Sequence, residues 1–239
     1  MTRAMAIAGA LSLSVMGSVS PALAGQQVYT YSVVHPIYGE IGTFTDTIDR
    51  NPEALRIDAH LRIAVKFLGV VAYREEADTT EVLRGNRLVL LQSVTDKDGR
   101  HLEVHGEAKG DQFMVNATTG SYAAPATIAP SDPWLLKRTG EELVVSTATG
   151  KMVNVQISGG EYDTVSLGGV SVPVRHYIVN GDKRQEVWLD NREIPIKFRS
   201  IENGTPIDFV LQSATAAAGG TRVAALKRSA TAHPENGDK

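Results

Sequence analysis

The chain has 239 residues, of which 42% are hydrophobic, and 24 basic side chains against 27 acidic ones give it a net charge of −3. This mildly acidic balance argues against a protein that follows nucleic-acid phosphates, which needs a basic face. The sequence contains no cysteine, which excludes disulfide frameworks, thiolate zinc sites, thiol nucleophiles and lipidation on cysteine.

The first 24 residues have the pattern of a removable export signal. Arg3 gives a basic start, residues 4–19 are small and apolar without an acidic side chain, and Ala22 and Ala24 form the A-x-A pattern that signal peptidase reads. The apolar stretch falls short of the roughly 20 residues that a membrane span needs, and serine and glycine dilute it. We therefore expect a signal peptide over 1–24 and a mature protein that is periplasmic or secreted, with no membrane span.

The strongest periodic pattern in the chain runs from Leu55 to Phe67. Apolar side chains take every second position, and most positions between them are charged or polar. Strict alternation predicts a strand with one dry face and one wet face. At ~3.3 Å per residue the strand would be about 43 Å long, which exceeds the usual length and predicts a bend or curl.

Turn dipeptides separate the remaining β-rich runs, as tight hairpins require residues that tolerate positive φ. They are Gly85-Asn86, Asp98-Gly99, Gly110-Asp111, Gly159-Gly160, Gly168-Gly169, Asn180-Gly181 and Asn203-Gly204. We predict strands near 27–35, 39–49, 54–67, 70–84, 87–96, 100–108, 112–117, 151–157, 161–167, 170–179, 183–190, 195–202 and 206–212. This punctuation indicates an all-β antiparallel meander.

One segment and the C-terminal end depart from the β pattern. The run 131–140 begins with Ser131 as a capping residue, has Pro133 in its first turn and ends on Gly140, which predicts a helix of at most two turns. Residues 213–239 have too few large apolar side chains to order themselves, so we predict a disordered tail there. The folded domain is expected to occupy 25–212.

So many strands produce more apolar sheet surface than one short helix can cover. Each exposed Å² costs roughly 25 cal/mol, so the sheet must close as a barrel, fold into two packed layers, or curl into a half-open barrel capped by the helix and loops. The last arrangement leaves an apolar groove.

The order of landmarks along the chain resembles a family of exported, single-domain bacterial β proteins of unknown function. The landmarks are Tyr31-Ser32-Val33, Gly39-Glu40-Ile41-Gly42, the strand 55–67, Tyr73-Arg74-Glu75-Glu76, Asp96-Lys97-Asp98-Gly99-Arg100, Trp134, Val187-Trp188-Leu189-Asp190 and Pro195-Ile196-Lys197. The family is similar in turn to half-barrel proteins of the periplasmic lipoprotein-carrier type. The resemblance spans about 28–212 and implies an antiparallel meander curled into a half-open barrel with one short capping helix. It supplies no catalytic residues, and the tail departs from it.

Two clusters of polar residues invite a chemical interpretation. His101, Glu103 and His105 share one face of a strand and could meet one metal ion, but the same alternation arises if Leu102 and Val104 point inward and the polar residues line the wet face. We adopt the second interpretation and predict neither a metal nor a cofactor.

The second cluster contains Glu75, Glu76, Asp78 and Glu81. A pair of these carboxyl groups could serve glycosidic acid/base chemistry, but strand decoration with Arg74 and Arg84 as partners explains them as well. One of these acids could still face the interior and pair with an arginine there. Neither a nucleophile elbow nor a phosphate-binding loop is present, and no catalytic residue is predicted.

The sequence therefore favours a non-catalytic protein that binds a lipid or another apolar small molecule on a concave sheet. The predicted ligand-binding residues are Ile57, Leu61, Ile63, Val65 and Phe67 on the long strand, with Trp134 near the mouth. An envelope scaffold that meets a protein partner through its sheet edges or tail is the alternative, and a hydrolase of lipid or glycan is a weaker one.

Overall fold

The computed structural model describes residues 25–67, 70–136 and 139–216. The predicted signal peptide and most of the predicted tail, residues 217–239, lie outside the described residues. Within the described part the chain is almost entirely β-strand. The strands are β1 Gly25–His35, β2 Gly39–Arg50, β3 Leu55–Phe67, β4 Val70–Arg84, β5 Arg87–Lys97, β6 Arg100–Lys109, β7 Gln112–Ala117, β8 Gly120–Pro125, β9 Ala129–Pro130, β10 Gly140–Val145, β11 Met152–Leu167, β12 Val170–Asn180, β13 Arg184–Leu189, β14 Pro195–Glu202 and β15 Thr205–Ala216.

All fifteen strands described belong to one sheet with the order β8-β7-β6-β5-β4-β3-β2-β1-β15-β14-β13-β12-β11-β10-β9. The sheet is two meanders joined where β1 pairs with β15. The strand pairs are antiparallel except β9 with β10, which is parallel. The all-β antiparallel meander predicted from the sequence is confirmed.

The two ends of this sheet must lie close together. β8 ends at Pro125 and β9 begins at Ala129, and four residues span at most about 14 Å. The hydroxyl of Tyr122 on β8 donates to the carbonyl oxygen of Gly150, 2.6 Å away in the β10–β11 turn. The sheet therefore curls into a barrel-like shape whose last seam is closed by loops and side chains.

The core lies on the concave face of this sheet. Its main cluster joins both meanders, because inward residues of β1 to β8 pack with Phe209 of β15 and with Leu135 of the segment between β9 and β10. Tyr31 of β1 lies at its centre, with ring centroids of Phe44 and Phe198 at 5.9 and 5.3 Å. Two smaller clusters form around Val144 and around Trp188.

Several elements differ from the sequence prediction. Strands β8, β9 and β10 were not predicted, and β11 is one strand of 16 residues rather than two. Gly159 and Gly160 have φ values of 102° and 97° and lie at a register shift between β11 and β12. They form a bulge instead of a hairpin turn, since both structures need positive φ.

Within the run 131–140 predicted to be helical, the described residues form a single 3₁₀ turn, Pro133–Leu135, whose N-cap is Asp132 rather than Ser131; residues 137 and 138 lie outside the described residues. The last strand, β15, continues to Ala216, four residues beyond the predicted end, because its final residues pair with β1. In the described part of the chain no helix is long and apolar enough to cross a membrane.

The backbones of β2 and β3 approach each other closely at Gly42 of β2. A Cβ atom at Gly42 would lie 2.0 Å from the carbonyl oxygen of Arg62 and 2.9 Å from Cα of Ile63, both backbone atoms that cannot move aside without breaking the ladder. We expect Gly42→Ala to lower the free energy of unfolding by about 2 to 4 kcal/mol in urea denaturation. The neighbouring, exposed Thr43→Ala should change it by less than about 1 kcal/mol. Equal losses for both variants would contradict this account of the strand pair.

Candidate functional site

The segment between β9 and β10 covers one side of the barrel interior. Asp132 accepts a hydrogen bond from the backbone N–H of Trp134 at 2.7 Å, which fixes the 3₁₀ turn. The indole of Trp134 packs against Tyr29, with ring centroids 4.4 Å apart. Its Nε1 donates to Oδ2 of Asp46 at 2.6 Å. We call the segment Asp132–Leu136 the cap.

Two carboxyl groups beneath the cap, Asp46 of β2 and Glu81 of β4, lie near that of Asp132 in the cap, and we call these three groups the interior carboxyl cluster. Asp46 and Glu81 are each only 1% exposed. Asp46 points inward because it alternates with the inward residues Phe44 and Ile48. Glu81 points inward because it pairs across the sheet with Ile57 on one side and Leu91 on the other.

The cluster leaves polar atoms without a protein partner. Both carboxyl oxygens of Glu81 and Oδ1 of Asp46 have no hydrogen-bond partner. Burying such a group unpaired costs about 1 to 3 kcal/mol, and more for a charged one. Buried polar atoms of this kind point to a water molecule, an ion or a ligand group as the missing partner.

Burial also changes how these acids titrate. It raises the pKa of Asp46 well above its ordinary value, repulsion from Asp132 adds to this, and the bond from Trp134 opposes it. Burial likewise raises the pKa of Glu81, with further repulsion from Asp132 and Asp46. The pKa of Asp132 rises to about 6 through burial, against the backbone hydrogen bond from Trp134. Perturbed acids that lie together in this way are typical of functional sites.

Small side chains occupy the inward positions beside the cluster. The row that crosses β2, β3, β4 and β5 at Asp46 continues through Ala59, Thr79 and Ser93. The hydroxyls of Thr79 and Ser93 are hydrogen-bonded at 3.1 Å. These short side chains keep bulk away from the carboxyl groups.

Toward the end of the barrel that carries the β3–β4 and β14–β15 turns, the concave face is less deeply covered. Five half-buried apolar side chains, which we call the apolar wall, pack there against the core: Phe44, Leu61, Val65, Phe198 and Ile207.

A charged rim follows at the same end. Nζ of Lys97 on β5 lies 3.0 Å from Oε2 of Glu75 on β4, and Glu75 also accepts a hydrogen bond from Tyr73. Burial opposes ionisation of Glu202 on β14, but Lys183 and then Lys97 lower its pKa, so Lys97 acts across the mouth of the barrel. We call Tyr73, Glu75, Lys97 and Glu202 the rim.

The predicted ligand-binding residues divide into two groups. Ile57 and Ile63 are core residues, 1% and 8% exposed, whereas Leu61 and Val65 are half-buried members of the apolar wall. Phe67 ends β3, and its side chain lies outside the described part of the structure. The predicted position of Trp134 near the mouth is not tested by a bound ligand, and its indole lies over Tyr29 and Asp46.

The polar clusters that the sequence singled out lie mainly outside. Leu102 and Val104 turn inward, and His101, Glu103 and His105 are exposed, as the alternation predicted. His101 contacts Asp96 and Glu103 at 2.8 and 3.0 Å. Among the described residues no three His, Asp or Glu side chains are grouped so that they could hold a metal ion.

The four acidic residues of β4 that the sequence singled out divide between the two faces of the sheet, because alternate positions of a strand point to opposite faces. Glu76 pairs with Arg62 and Arg74 on the wet face, and Asp78 pairs there with His60. Glu75 and Glu81 face inward, but Glu75 meets Lys97, and Glu81 meets Asp46 and Asp132 rather than an arginine.

Two open grooves lie on the convex face of the sheet. One, of about 460 Å³, crosses β6 to β8 beside His105 and Met114. The other, of about 350 Å³, crosses β2 to β5 beside Asp58 and His60. The lining of neither groove includes Asp46, Glu81 or Asp132, although Ala59, Thr79 and Ser93 beside the cluster contribute to the second.

The single curled sheet defines a β-barrel-like protein. A solved β-barrel-like protein from Brucella abortus, described as a domain of unknown function (DUF1849), shares this fold with a TM-score of 0.62. The similarity covers 82% of this chain and 99% of that chain at 11% sequence identity, so it shows the fold alone. The chain belongs to the family described as Domain of unknown function (DUF6134), whose model matches residues 39–212. No curated protein is a significant match to the chain.

Family and fold agree with the resemblance found in the sequence, an uncharacterised family of β proteins with a barrel-like sheet. Sequence reasoning missed Asp46 and Asp132 as site residues. The signal for Asp46 was its parity with Phe44 and Ile48, which places a carboxyl group on a dry face. Asp132 carried no comparable signal, because its position depends on how the cap docks.

Proposed function

We propose that this protein binds an amphiphilic, lipid-like molecule on the concave face of its half-barrel, in the periplasm after export. The observation that carries the proposal is the succession of surfaces along this face. A charged rim is followed by a half-buried apolar wall and then by buried carboxyl groups under the cap. An amphiphile has both kinds of group, and ligand sites combine apolar lining with a few polar groups in this way.

The apolar wall supplies the area that such binding needs. Its members are half-buried although they adjoin a continuous core, so an apolar chain laid on Leu61 and Val65 would remove further hydrocarbon surface from water. Each Å² so covered contributes roughly 25 cal/mol. The polar group of the ligand would then satisfy oxygens that Glu81 and Asp46 leave unpaired.

Uptake of fluorescent fatty acyl and phospholipid probes by delipidated protein tests this proposal. We expect saturable binding, and we expect Val65→Asn on the concave face to weaken it about tenfold or more, as a buried amide without a partner costs about 1 to 3 kcal/mol. The matched control is Ala64→Asn on the same strand, whose side chain is exposed on the other face. Absence of saturable uptake, or equal losses for both variants, would contradict the proposal.

A scaffold function in the envelope is the second candidate, and one observation favours it. The β1–β2 hairpin and the start of β4 expose large apolar side chains at the same end of the barrel, with Ile37 80% and Val70 69% exposed. Apolar side chains in such positions mark contact surfaces for partners. Crosslinking from position 37 in cells to one defined protein, together with no uptake of the acyl probe, would favour the scaffold over the binder.

A further inference from the structure

The interior carboxyl cluster has no basic side chain acting on it among the described residues. The groups that act on the titration of Asp46 and Glu81 are other carboxyls and the Trp134 indole, with no lysine, arginine or histidine among them. Elsewhere in the protein an acidic side chain is paired with a basic one, as Glu75 is with Lys97. Buried carboxylates are normally paired or bound to a cation.

Apart from the charge of the cluster, several of its oxygens have no hydrogen-bond partner. Glu81 is 1% exposed, its carboxyl group points to the interior, and neither of its oxygens has a hydrogen-bond partner. Oδ1 of Asp46 is also unpartnered, although Oδ2 of the same group receives the Trp134 indole N–H. Three carboxyl oxygens of the cluster, two of Glu81 and one of Asp46, are therefore without a hydrogen-bond partner.

The surroundings favour an organic cation over a metal ion. No three acidic or histidine side chains of the described residues are grouped for metal coordination. Aromatic side chains lie beside the carboxyl groups instead. The Trp134 indole is hydrogen-bonded to Asp46, and Tyr29 packs on Trp134. Tyr31 also lies near Asp46, since burial is the main cause that raises the pKa of Tyr31 and Asp46 raises it further. Carboxyl groups beside aromatic faces recognise ammonium groups, through charged hydrogen bonds and cation–π attraction.

We propose that the interior carboxyl cluster, with the unpartnered oxygens of Glu81 and Asp46 under the aromatic cap, binds the ammonium group of an alkylamine-type amphiphile. This inference rests on the proposed function and adds the chemical class of the ligand's polar group. Burial holds protons on Asp46 and Glu81 in the ligand-free protein, so the ammonium binds as these carboxyls release their protons to solvent. Its three N–H bonds then match the three unpartnered oxygens, and the alkyl part extends onto Leu61 and Val65 of the apolar wall.

Binding of octylammonium, octanol and octanoate at equal chain length tests the inference, by isothermal titration calorimetry at pH 7.5 and below the concentrations at which they form micelles. We expect octylammonium to bind about tenfold or more tightly than octanol, and octanoate to bind most weakly. In Glu81→Gln the preference of octylammonium over octanol should disappear. The exposed Glu107→Gln should keep it.

The outcomes separate this inference from the proposed function. Equal binding of octylammonium and octanol would overturn the ammonium site and leave the amphiphile-binding function standing, whereas no binding of any of the three would remove both. Stabilisation of the protein by Ca²⁺ alone, lost in Glu81→Gln, would replace the organic cation with a metal ion and so overturn the inference. Circular dichroism of each variant, which should match the parent, keeps loss of binding distinct from loss of fold.

Discussion

The double variant Asp46→Asn, Glu81→Gln should become more stable relative to the parent protein as the pH rises. Burial, then repulsion from Asp132, raises the pKa of both carboxyls in the folded state. A carboxyl with a raised folded pKa holds its proton in the folded protein and loses it in the unfolded chain. The contribution of these two carboxyls to the stability of the parent should therefore be greatest below about pH 4, where both states are protonated, and should be lost as the pH rises toward the folded pKa values.

The variant's amide groups do not titrate, so its stability should fall less. Asp132 remains in both proteins, so the change in stability that comes from its own titration, between about pH 4 and about pH 6, is common to them. Between pH 5 and pH 8 we expect the difference in unfolding free energy to move by about 2 to 4 kcal/mol in the variant's favour. Urea denaturation of ligand-free protein at each pH measures this difference.

A control at Glu107 isolates the effect of burial. Glu107→Gln removes an exposed carboxyl of β6, so its stability profile should run parallel to that of the parent. If the double variant also ran parallel to the parent from pH 5 to pH 8, the two acids would not carry raised pKa values. The two acids would then be more hydrated than the described packing implies, and the electrostatic argument for a charged ligand group would no longer hold.

Replacing the central tyrosine of the core should give the largest loss of stability. Tyr31 is fully buried on β1, the strand that joins the two meanders, and its ring contacts those of Phe44 and Phe198. Its hydroxyl donates to the carbonyl oxygen of Pro195 at 3.0 Å. Tyr31→Ala should lower the free energy of unfolding by about 3 to 5 kcal/mol, from lost burial and the cavity left behind.

Two further variants make the reason for this loss measurable. Tyr31→Phe keeps the ring but removes the hydrogen bond to the Pro195 carbonyl, and should cost about 1 to 2 kcal/mol. The same Tyr→Ala change at Tyr162, which is 81% exposed, should cost less than about 1 kcal/mol despite its contact with Arg175. Similar losses at positions 31 and 162 would contradict the assignment of Tyr31 to the joint between the meanders.

The strands that the sequence predicted well are those with a strong local signal. β3 was predicted from strict alternation, and its neighbours β4 and β5 from the turn dipeptides between them, because parity and positive φ are local properties. β10, Gly140–Val145, was missed, since Glu141 and Glu142 interrupt the alternation and its pairing with β11 decides its conformation. β9 consists of two residues that are assigned to a strand because they pair with β10.

The site was less predictable than the fold for a related reason. Glu81 was recognised as a candidate acid, and the sequence left open that one acid of β4 faces the interior. Its expected partner was an arginine, however, whereas the structure brings Asp46 from β2 and Asp132 from the cap. That combination depends on the curvature of the sheet and on the docking of the cap through Trp134, neither of which a local pattern encodes.

A crystal structure of the protein purified from the envelope of its own cells tests the central claim most directly. The account predicts a bound molecule with a polar atom about 2.7 to 3.2 Å from the oxygens of Glu81 and Asp46, and with its apolar part against Leu61 and Val65. A concave face filled by the protein's own side chains, with Glu81 meeting only protein or water, would contradict it.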